Sequence, residues 1–283
     1  MTNQQNPQFL MHLLISNIAQ VILLLIGLAF KDRDNHSVFP LSPIEILWVN
    51  LITSSFLAIG LGLEESQEDS MYRPPHDVKK GVFTAELITD KLIYGFAMGS
   101  LCLFSFAIVA YVGPGSAGGD LGSGCNEAWN ETCGVVFRAR ATTYATITLL
   151  LLVTAWEVKH FARSLFNMHP HTPLPAPRGL SVFPTIWRNR FLFFAVVAGF
   201  VLMLPIVYIP LLNKRVFKHA AITWEWGVAF GAVVMYIAAI EGWKAVKRSF
   251  GIGSGAHRVI RREDAEARAG LLVGGVSLVA EKK

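Results

Sequence analysis

Charged residues are scarce in this sequence. Of its 283 residues, 16% are Asp, Glu, Lys or Arg and 53% are hydrophobic, and the mean hydropathy is +0.45. Soluble domains carry about 25% charged residues, so this composition excludes an ordinary soluble domain. A glycine-rich loop of the Walker type is also missing from the sequence, which excludes a P-loop nucleotide site in it.

The positive charge that is present does not form one patch. The formal net charge is +5 and the isoelectric point is about 9.2, values that nucleic-acid-binding proteins also show. Here the Lys and Arg residues stand beside apolar runs, as residues that flank a membrane do. We therefore expect a lipid bilayer as a partner and no nucleic acid.

Six apolar stretches are long enough to cross about 30 Å of hydrocarbon at about 1.5 Å per helical residue. They cover residues 8–30, 44–63, 88–112, 139–161, 191–212 and 223–245. In lipid a helix satisfies its own backbone hydrogen bonds, so each stretch is predicted to be helical. The predicted fold is an all-α, polytopic membrane helix bundle with about six transmembrane helices. We expect a membrane domain over residues 1–248 and a mobile basic tail over residues 249–283.

The distribution of Lys and Arg predicts the orientation of the bundle. The loop over residues 113–137 contains neither residue, whereas the connection over residues 162–190 contains four Arg and the C-terminal segment is rich in both. The positive-inside rule therefore places both termini in the cytoplasm. Lys214, Arg215 and Lys218 disagree with this orientation, because they would lie outside.

The loop without Lys or Arg also contains two cysteines and a glycosylation sequon. Cys125 and Cys133 flank the sequon at Asn130, and both features suit an extracellular or lumenal face. We predict a disulfide and a glycan there, with free thiols and an unused sequon as the alternative. Cys102 lies inside the third stretch and is expected to be a packing residue.

Polar side chains at membrane depth are costly and are therefore candidate functional groups. Several stand three residues apart, a spacing that places them on one face of a helix. Amides, hydroxyls and one carboxylate supply oxygen ligands, which suit a hard cation such as Na⁺ or K⁺. The candidate ligands are Asn17, Gln20, Asn50, Thr53, Ser54 and Glu157.

Each candidate also has a simpler interpretation. Amides and hydroxyls commonly bond one membrane helix to another, and Glu157 would then extend toward the cytoplasmic interface. Glu241 stands three residues before Lys244, which predicts a local ion pair. Two Gly-x-x-x-Gly pairs, at 95 and 99 and at 227 and 231, predict close helix packing.

The motif Ile46-Leu47-Trp48-Val49-Asn50-Leu51-Ile52-Thr53, followed later by Arg73-Pro74-Pro75, resembles the sixth membrane helix and the next loop of P-type cation-pumping ATPases. The motif Ser16-Asn17-Ile18-Ala19-Gln20 is similar to their fifth helix. With residues 137–143 and 223–227 included, the resemblance is greatest to fungal sodium or potassium exporting pumps. It extends over roughly residues 8–250, and it implies that the six stretches correspond to the fifth to tenth helices of such a pump.

The resemblance also implies which residues hold the ion. In that family the fifth, sixth and eighth helices supply ligands, and the matching positions are the six candidates given above. Calcium pumps usually carry acids where Gln20 and Ser54 stand, so neutral oxygens there favour a monovalent ion. The phosphorylated aspartate of the family lies in an Asp-Lys-Thr-Gly-Thr motif, which this sequence lacks.

From this we interpret the chain as the membrane portion of an ATP-driven sodium or potassium export pump of the plasma membrane, a fragment that lacks the phosphorylation and nucleotide domains. ATP hydrolysis, and with it Mg-ATP, is expected only in a full-length pump, and this chain alone is expected to bind no cofactor. Its partners would then be monovalent cations and the missing N-terminal half or a full-length pump. The alternatives are a stand-alone channel or secondary transporter and a regulatory partner of a full pump.

Overall fold

The computed structural model of the chain describes residues 6–63, 85–114, 116, 121–127, 129–159, 186–187 and 189–250. The Arg73-Pro74-Pro75 motif and residues 251–283 of the predicted tail lie outside these described residues. Residues 249 and 250, which we assigned to the tail, are the last two residues of a helix.

The described residues contain seven α-helices. These are α1 (Asn6–Gly27), α2 (Pro43–Trp48), α3 (Ser55–Gly62), α4 (Ala85–Ala107), α5 (Gly134–Glu157), α6 (Arg190–Tyr208) and α7 (Glu225–Phe250). Three π-helical segments join or extend them, at Val49–Ser54, Ile108–Val112 and Leu211–Phe217, and a 3₁₀ turn spans Glu131–Cys133. Because α2, the first π-helical segment and α3 are continuous, the helices make six segments of membrane-spanning length.

The six candidate membrane spans confirm the predicted fold. They run over Gln8–Gly27, Pro43–Gly62, Leu87–Val112, Glu131–Glu157, Arg190–Tyr208 and Glu225–Lys247. The fourth begins eight residues before the predicted stretch, at residue 131 rather than 139, and the added part includes Arg138. Hydropathy alone ends the stretch after this charge, although Arg138 is bonded to the Pro114 carbonyl and paired with Glu225.

Helix α5 is the centre of the bundle. The apolar window of its span is 89% buried, compared with 22–50% for the other five spans. It packs against α4, α6 and α7, and a helix buried on all sides is the expected core of such an assembly. The outer helices instead expose large apolar side chains, among them Leu51, Phe96 and Val234, as lipid-facing surfaces do.

Close packing of α1 against α4 depends on two glycines. A Cβ atom at Gly95 would lie 2.6 Å from Ile18 Cγ2, and one at Gly99 would lie 3.0 Å from the carbonyl oxygen of Ala19. These glycines therefore allow the two backbones to approach, as predicted. A Cβ atom at Gly227 or Gly231 would have no neighbour within 4 Å, so the close contact predicted there is wrong for the described part of the chain.

The loops after α1, α4 and α6 meet at one end of the bundle, which we call the disulfide end. Asn126 donates from Nδ2 to the Ser37 carbonyl (2.6 Å) and accepts a bond from Lys218 Nζ at its own carbonyl (2.7 Å). Arg140, at the start of α5, donates to the Phe39 carbonyl and to Asn126 Oδ1 (2.9 and 2.8 Å). The three loops therefore lie on one side of the membrane, as an alternating six-span topology requires.

The same contacts account for basic residues that disagreed with the predicted orientation. Lys218 donates to the carbonyls of Asn126 and Glu127 at 2.7 and 2.6 Å. Lys214 Nζ lies 4.6 Å from the ring centroid of Trp129, a cation–π geometry. Both lysines therefore have local partners at the disulfide end, and the predicted orientation of the bundle stays a prediction.

Candidate cation-binding site

The second span is interrupted at the residues that the sequence analysis selected. Helix α2 begins with a capping box, in which Ser42 Oγ accepts from the Glu45 N–H and the Glu45 carboxylate accepts from the Ser42 N–H. The π-helical segment Val49–Ser54 follows and contains Asn50, Thr53 and Ser54. Wide π-helical turns of this kind are frequent at functional sites.

Inside this segment the side chains form a closed hydrogen-bonded cluster with α1. Asn50 Nδ2 donates to Gln20 Oε1 at 2.8 Å, and Gln20 Nε2 donates back to Asn50 Oδ1 at 3.1 Å. Ser16 Oγ donates to the same Asn50 Oδ1 at 3.1 Å. Ser54 Oγ lies 3.4 Å from Ser16 Oγ and completes the group. We call Ser16, Gln20, Asn50 and Ser54 the amide cluster.

The amide cluster is shielded and contains no formal charge. Ser16 and Ser54 are fully buried, Gln20 is 4% exposed and Asn50 is half-buried, while the neighbouring Thr53 is 5% exposed. The main-chain carbonyl of Asn50 accepts a bond from Ser55 Oγ at 2.9 Å. Five neutral side-chain oxygens, counting Thr53, thus lie in or beside one buried group, which is the donor type that hard monovalent cations prefer.

Ser16 is a member that the sequence analysis missed. A serine in a membrane helix commonly bonds its own backbone, so its position gave no specific signal. Asn17, which we predicted as a ligand, is exposed on α1 and is not bonded to the amide cluster. Its ligand role stays a prediction.

Helix α1 carries buried polar side chains at every fourth position. Gln8, His12, Ser16 and Gln20 are all at most 8% exposed, and this spacing aligns them on one face. Gln8 Nε2 donates to the Lys159 carbonyl at 2.9 Å. Among the described residues both ring nitrogens of His12 are without a hydrogen-bond partner.

Glu157 belongs to a different group. Its carboxylate forms an ion pair with Lys244 of α7, and both residues are 1% exposed. Lys244 also lies 3.7 Å from Glu241, so the local pair predicted from spacing exists beside a closer one. The sequence analysis missed the Glu157 contact because 87 residues separate the partners. No contact places Glu157 in the amide cluster, and its ligand role stays a prediction.

A second buried ion pair lies near the first. Lys247 of α7 donates to Asp90 Oδ2 on α4 at 2.7 Å, and Trp243 Nε1 donates to Asp90 Oδ1 at 2.8 Å. Thr154 Oγ1 and Tyr236 OH, 2.8 Å apart, add a neutral link between α5 and α7. The C-terminal half of α7 is therefore bound to α4 and α5 by buried charges.

The cysteine pair and the glycosylation sequon of the loop over residues 113–137 lie at the disulfide end. Cys125 and Cys133 are joined in a disulfide with their Cα atoms 5.5 Å apart, and Cys102 is a buried free thiol. Asn130 is exposed, and its Oδ1 accepts from the Thr132 N–H at 3.2 Å. Glycosylation of Asn130 stays a prediction.

Comparison with known proteins identifies relatives for most of the chain. The family described as "Cation transporting ATPase, C-terminus" matches residues 38–246. A sodium/potassium exporting P-type ATPase of Schizosaccharomyces pombe is 44% identical over 242 residues, which is 86% of this chain and 23% of that protein. Sodium/potassium exporting P-type ATPase 1 of Saccharomyces cerevisiae is 43% identical over 243 residues, 86% of this chain and 22% of that protein.

The names of more distant relatives specify transport of calcium rather than of sodium or potassium. A calcium-transporting ATPase of Bacillus subtilis is 27% identical over 235 residues, which is 82% of this chain and 22% of that protein. The chain therefore spans less than a quarter of the length of each of these curated relatives.

Proposed function

The chain belongs to the family of cation-transporting ATPases, whose C-terminal part it matches, and from this premise we propose that it forms the ion-binding membrane part of a pump that exports a monovalent cation. The observation that carries this proposal is the amide cluster, in which neutral oxygens from α1 and the π-helical segment, shielded except at the half-buried Asn50, lie within hydrogen-bond reach of one another. Ion entry replaces the amide–amide hydrogen bonds by contacts between these oxygens and the cation.

The absence of a carboxylate in the amide cluster favours a monovalent cargo. A divalent ion leaves two uncompensated charges at membrane depth, and calcium sites normally supply several carboxylates. Relatives whose names specify sodium and potassium export are also much more similar to this chain than the calcium transporter is. We therefore propose Na⁺ or K⁺ as the bound ion.

The remaining parts of the proposed function rest on the relatives and on the distribution of charge in the sequence. The Asp-Lys-Thr-Gly-Thr motif is absent from this sequence, so we propose that ATP hydrolysis occurs in polypeptide outside it, in a missing N-terminal half or in a full-length pump. We further propose a plasma-membrane location, with the disulfide end outside and the opposite end, where α1 begins and α7 ends, in the cytoplasm. We propose residues 1–248 as one domain of such a pump and residues 249–283 as its tail.

The test measures stabilisation of the chain in lipid nanodiscs by NaCl and KCl against choline chloride. Of the three cysteines, Cys125 and Cys133 are in the disulfide, so reaction of Cys102 with a fluorogenic thiol dye reports unfolding. A bound ion stabilises the folded state by about 2.7 kcal/mol at a hundredfold excess over Kd. We expect a rise of the unfolding temperature with NaCl or KCl that Asn50→Ala abolishes.

The matched control removes a buried amide elsewhere. Asn213 is 4% exposed and donates to the Val207 carbonyl at 2.9 Å. Asn213→Ala is expected to lower the unfolding temperature and to keep its dependence on the cation. If Asn50→Ala keeps that dependence as well, the amide cluster is not the ion site.

A further inference from the structure

The buried ion pair on α5 and α7 has the geometry of an occupied cation site. The ammonium group of Lys244 contacts the Glu157 carboxylate, lies 3.4 Å from the Glu157 main-chain carbonyl oxygen, and is 3.7 Å from Glu241 Oε1. Its side chain is 1% exposed and that of Glu157 is fully buried. Oxygens from the buried Glu157 and from Glu241, which is 18% exposed, thus lie around one buried positive charge.

The neighbouring pair of Asp90 and Lys247 provides a useful contrast. Both oxygens of Asp90 have a donor, since Oδ1 accepts from Trp243 and Oδ2 accepts from Lys247. By comparison, Glu157 Oε1 is buried and is without a hydrogen-bond partner in the described part of the chain. Buried polar atoms are nearly always paired, so this oxygen could accept one further contact beside the ammonium group.

Electrostatics explains why some cation must be present. An isolated carboxylate in the membrane interior is strongly unfavourable, and removal of one partner from a buried pair leaves an uncompensated charge. Here the positive charge is covalently part of α7, so it requires no ion from solution. A free cation that entered at Glu157 would have to displace Lys244 and leave its buried ammonium group with only the more distant Glu241.

We propose that Glu157 and Glu241 form a second cation site, separate from the amide cluster, and that Lys244 occupies it as a built-in cation. The chain then binds no ion from solution at Glu157. Removal of the lysine charge makes the site available to a monovalent cation, which carries the same charge as the ammonium group. Na⁺ is the probe for such a cation. The site goes beyond the amide cluster, and its test does not depend on whether that cluster binds an ion.

The test is equilibrium binding of radioactive ²²Na⁺ to the full chain in nanodiscs. Lys244→Met keeps most of the length of the side chain and removes the ammonium group, and we expect this variant to bind one Na⁺ per chain more than the unmodified protein. Addition of Glu157→Gln to Lys244→Met should remove the extra ion. The matched control Lys218→Met removes a lysine charge that contacts the carbonyls of Asn126 and Glu127 rather than a carboxylate, and it should add none.

Two further variants keep the proposal falsifiable. Glu157→Gln alone should leave Na⁺ binding of the chain unchanged, and this measurement holds even if Lys244→Met does not fold. Asn50→Ala combined with Lys244→Met should lose the ion of the amide cluster and keep the additional one, so failure of one site is distinguishable from failure of the other.

Two outcomes would overturn the proposal. One is a folded Lys244→Met variant, with Cys102 shielded from dye at low temperature, that binds no additional Na⁺. The other is a loss of Na⁺ binding in Glu157→Gln alone, which would make Glu157 an ordinary ligand and Lys244 only its structural neighbour.

Discussion

Arg140 offers the sharpest test of what holds the loops of the disulfide end together. Its guanidinium donates to the Phe39 carbonyl, the Cys125 carbonyl and Asn126 Oδ1 at 2.9, 3.3 and 2.8 Å, and the residue is 2% exposed. Arg140→Met keeps much of the volume and removes all three bonds. Three buried acceptors then lose a charged donor, which costs about 3–5 kcal/mol in the free energy of unfolding.

The size of this effect is measurable as an unfolding temperature. For a protein of this length about 1 kcal/mol corresponds to roughly 2–4 °C, so Arg140→Met should lower the temperature at which Cys102 reacts with dye by about 6–20 °C. Arg215 lies at the same end of the bundle and is exposed, so Arg215→Met should change stability by at most about 0.5 kcal/mol. Equal shifts for the two variants would refute the assigned role of Arg140.

Three further predictions test other parts of the fold and the site. Gly95→Ala should lower the free energy of unfolding of the bundle by about 1–3 kcal/mol, since the new Cβ atom would overlap Ile18. Gly231→Ala places its Cβ atom in open space and should be neutral or slightly stabilising in the same dye assay. Without reductant, the denatured chain should take up one alkylating group, at Cys102, and with reductant three; three without reductant would exclude the disulfide. Gln20→Glu combined with Ser54→Asp adds two carboxylates to the amide cluster, and CaCl₂ should then raise the unfolding temperature of this variant but not that of the unmodified chain. A rise of the unfolding temperature of the unmodified chain with CaCl₂ would contradict a monovalent site.

The sequence was sufficient for the helices because lipid leaves the backbone few alternatives. A chain that crosses hydrocarbon must bond its own N–H and C=O groups, so apolar length alone predicted six spans. It misplaced the start of the fourth span because Arg138, just before the predicted stretch, has its charge bonded to Pro114 and Glu225, which are distant in sequence. A hydropathy value depends on the type of a residue and takes no account of the groups that neutralise its charge in the fold.

The candidate site was predictable only in part, for the same reason. The pairing of Gln20 with Asn50 agrees with the resemblance that selected both, yet the π-helical segment that orients Asn50 has no signature in the sequence. Spacing indicated that Lys244 pairs with Glu241, three residues away. It gave no sign of Glu157, since contacts between distant helices depend on their packing. An intramembrane lysine was the available signal, because its charge requires an acid that one partly exposed neighbour does not fully supply.

The amide cluster and the lysine pair solve one electrostatic problem in two ways. A membrane site that must both bind and release an ion cannot hold a permanent charge without a large penalty in one of its two states. The amide cluster avoids the penalty because its oxygens are neutral and bond each other when no ion is bound. The Glu157 site avoids this penalty because Lys244, which neutralises Glu157, is part of the polypeptide and is never released. Under the two proposals, any ion that the chain binds from solution binds at the amide cluster, and this ion is monovalent because no carboxylate there compensates a second charge.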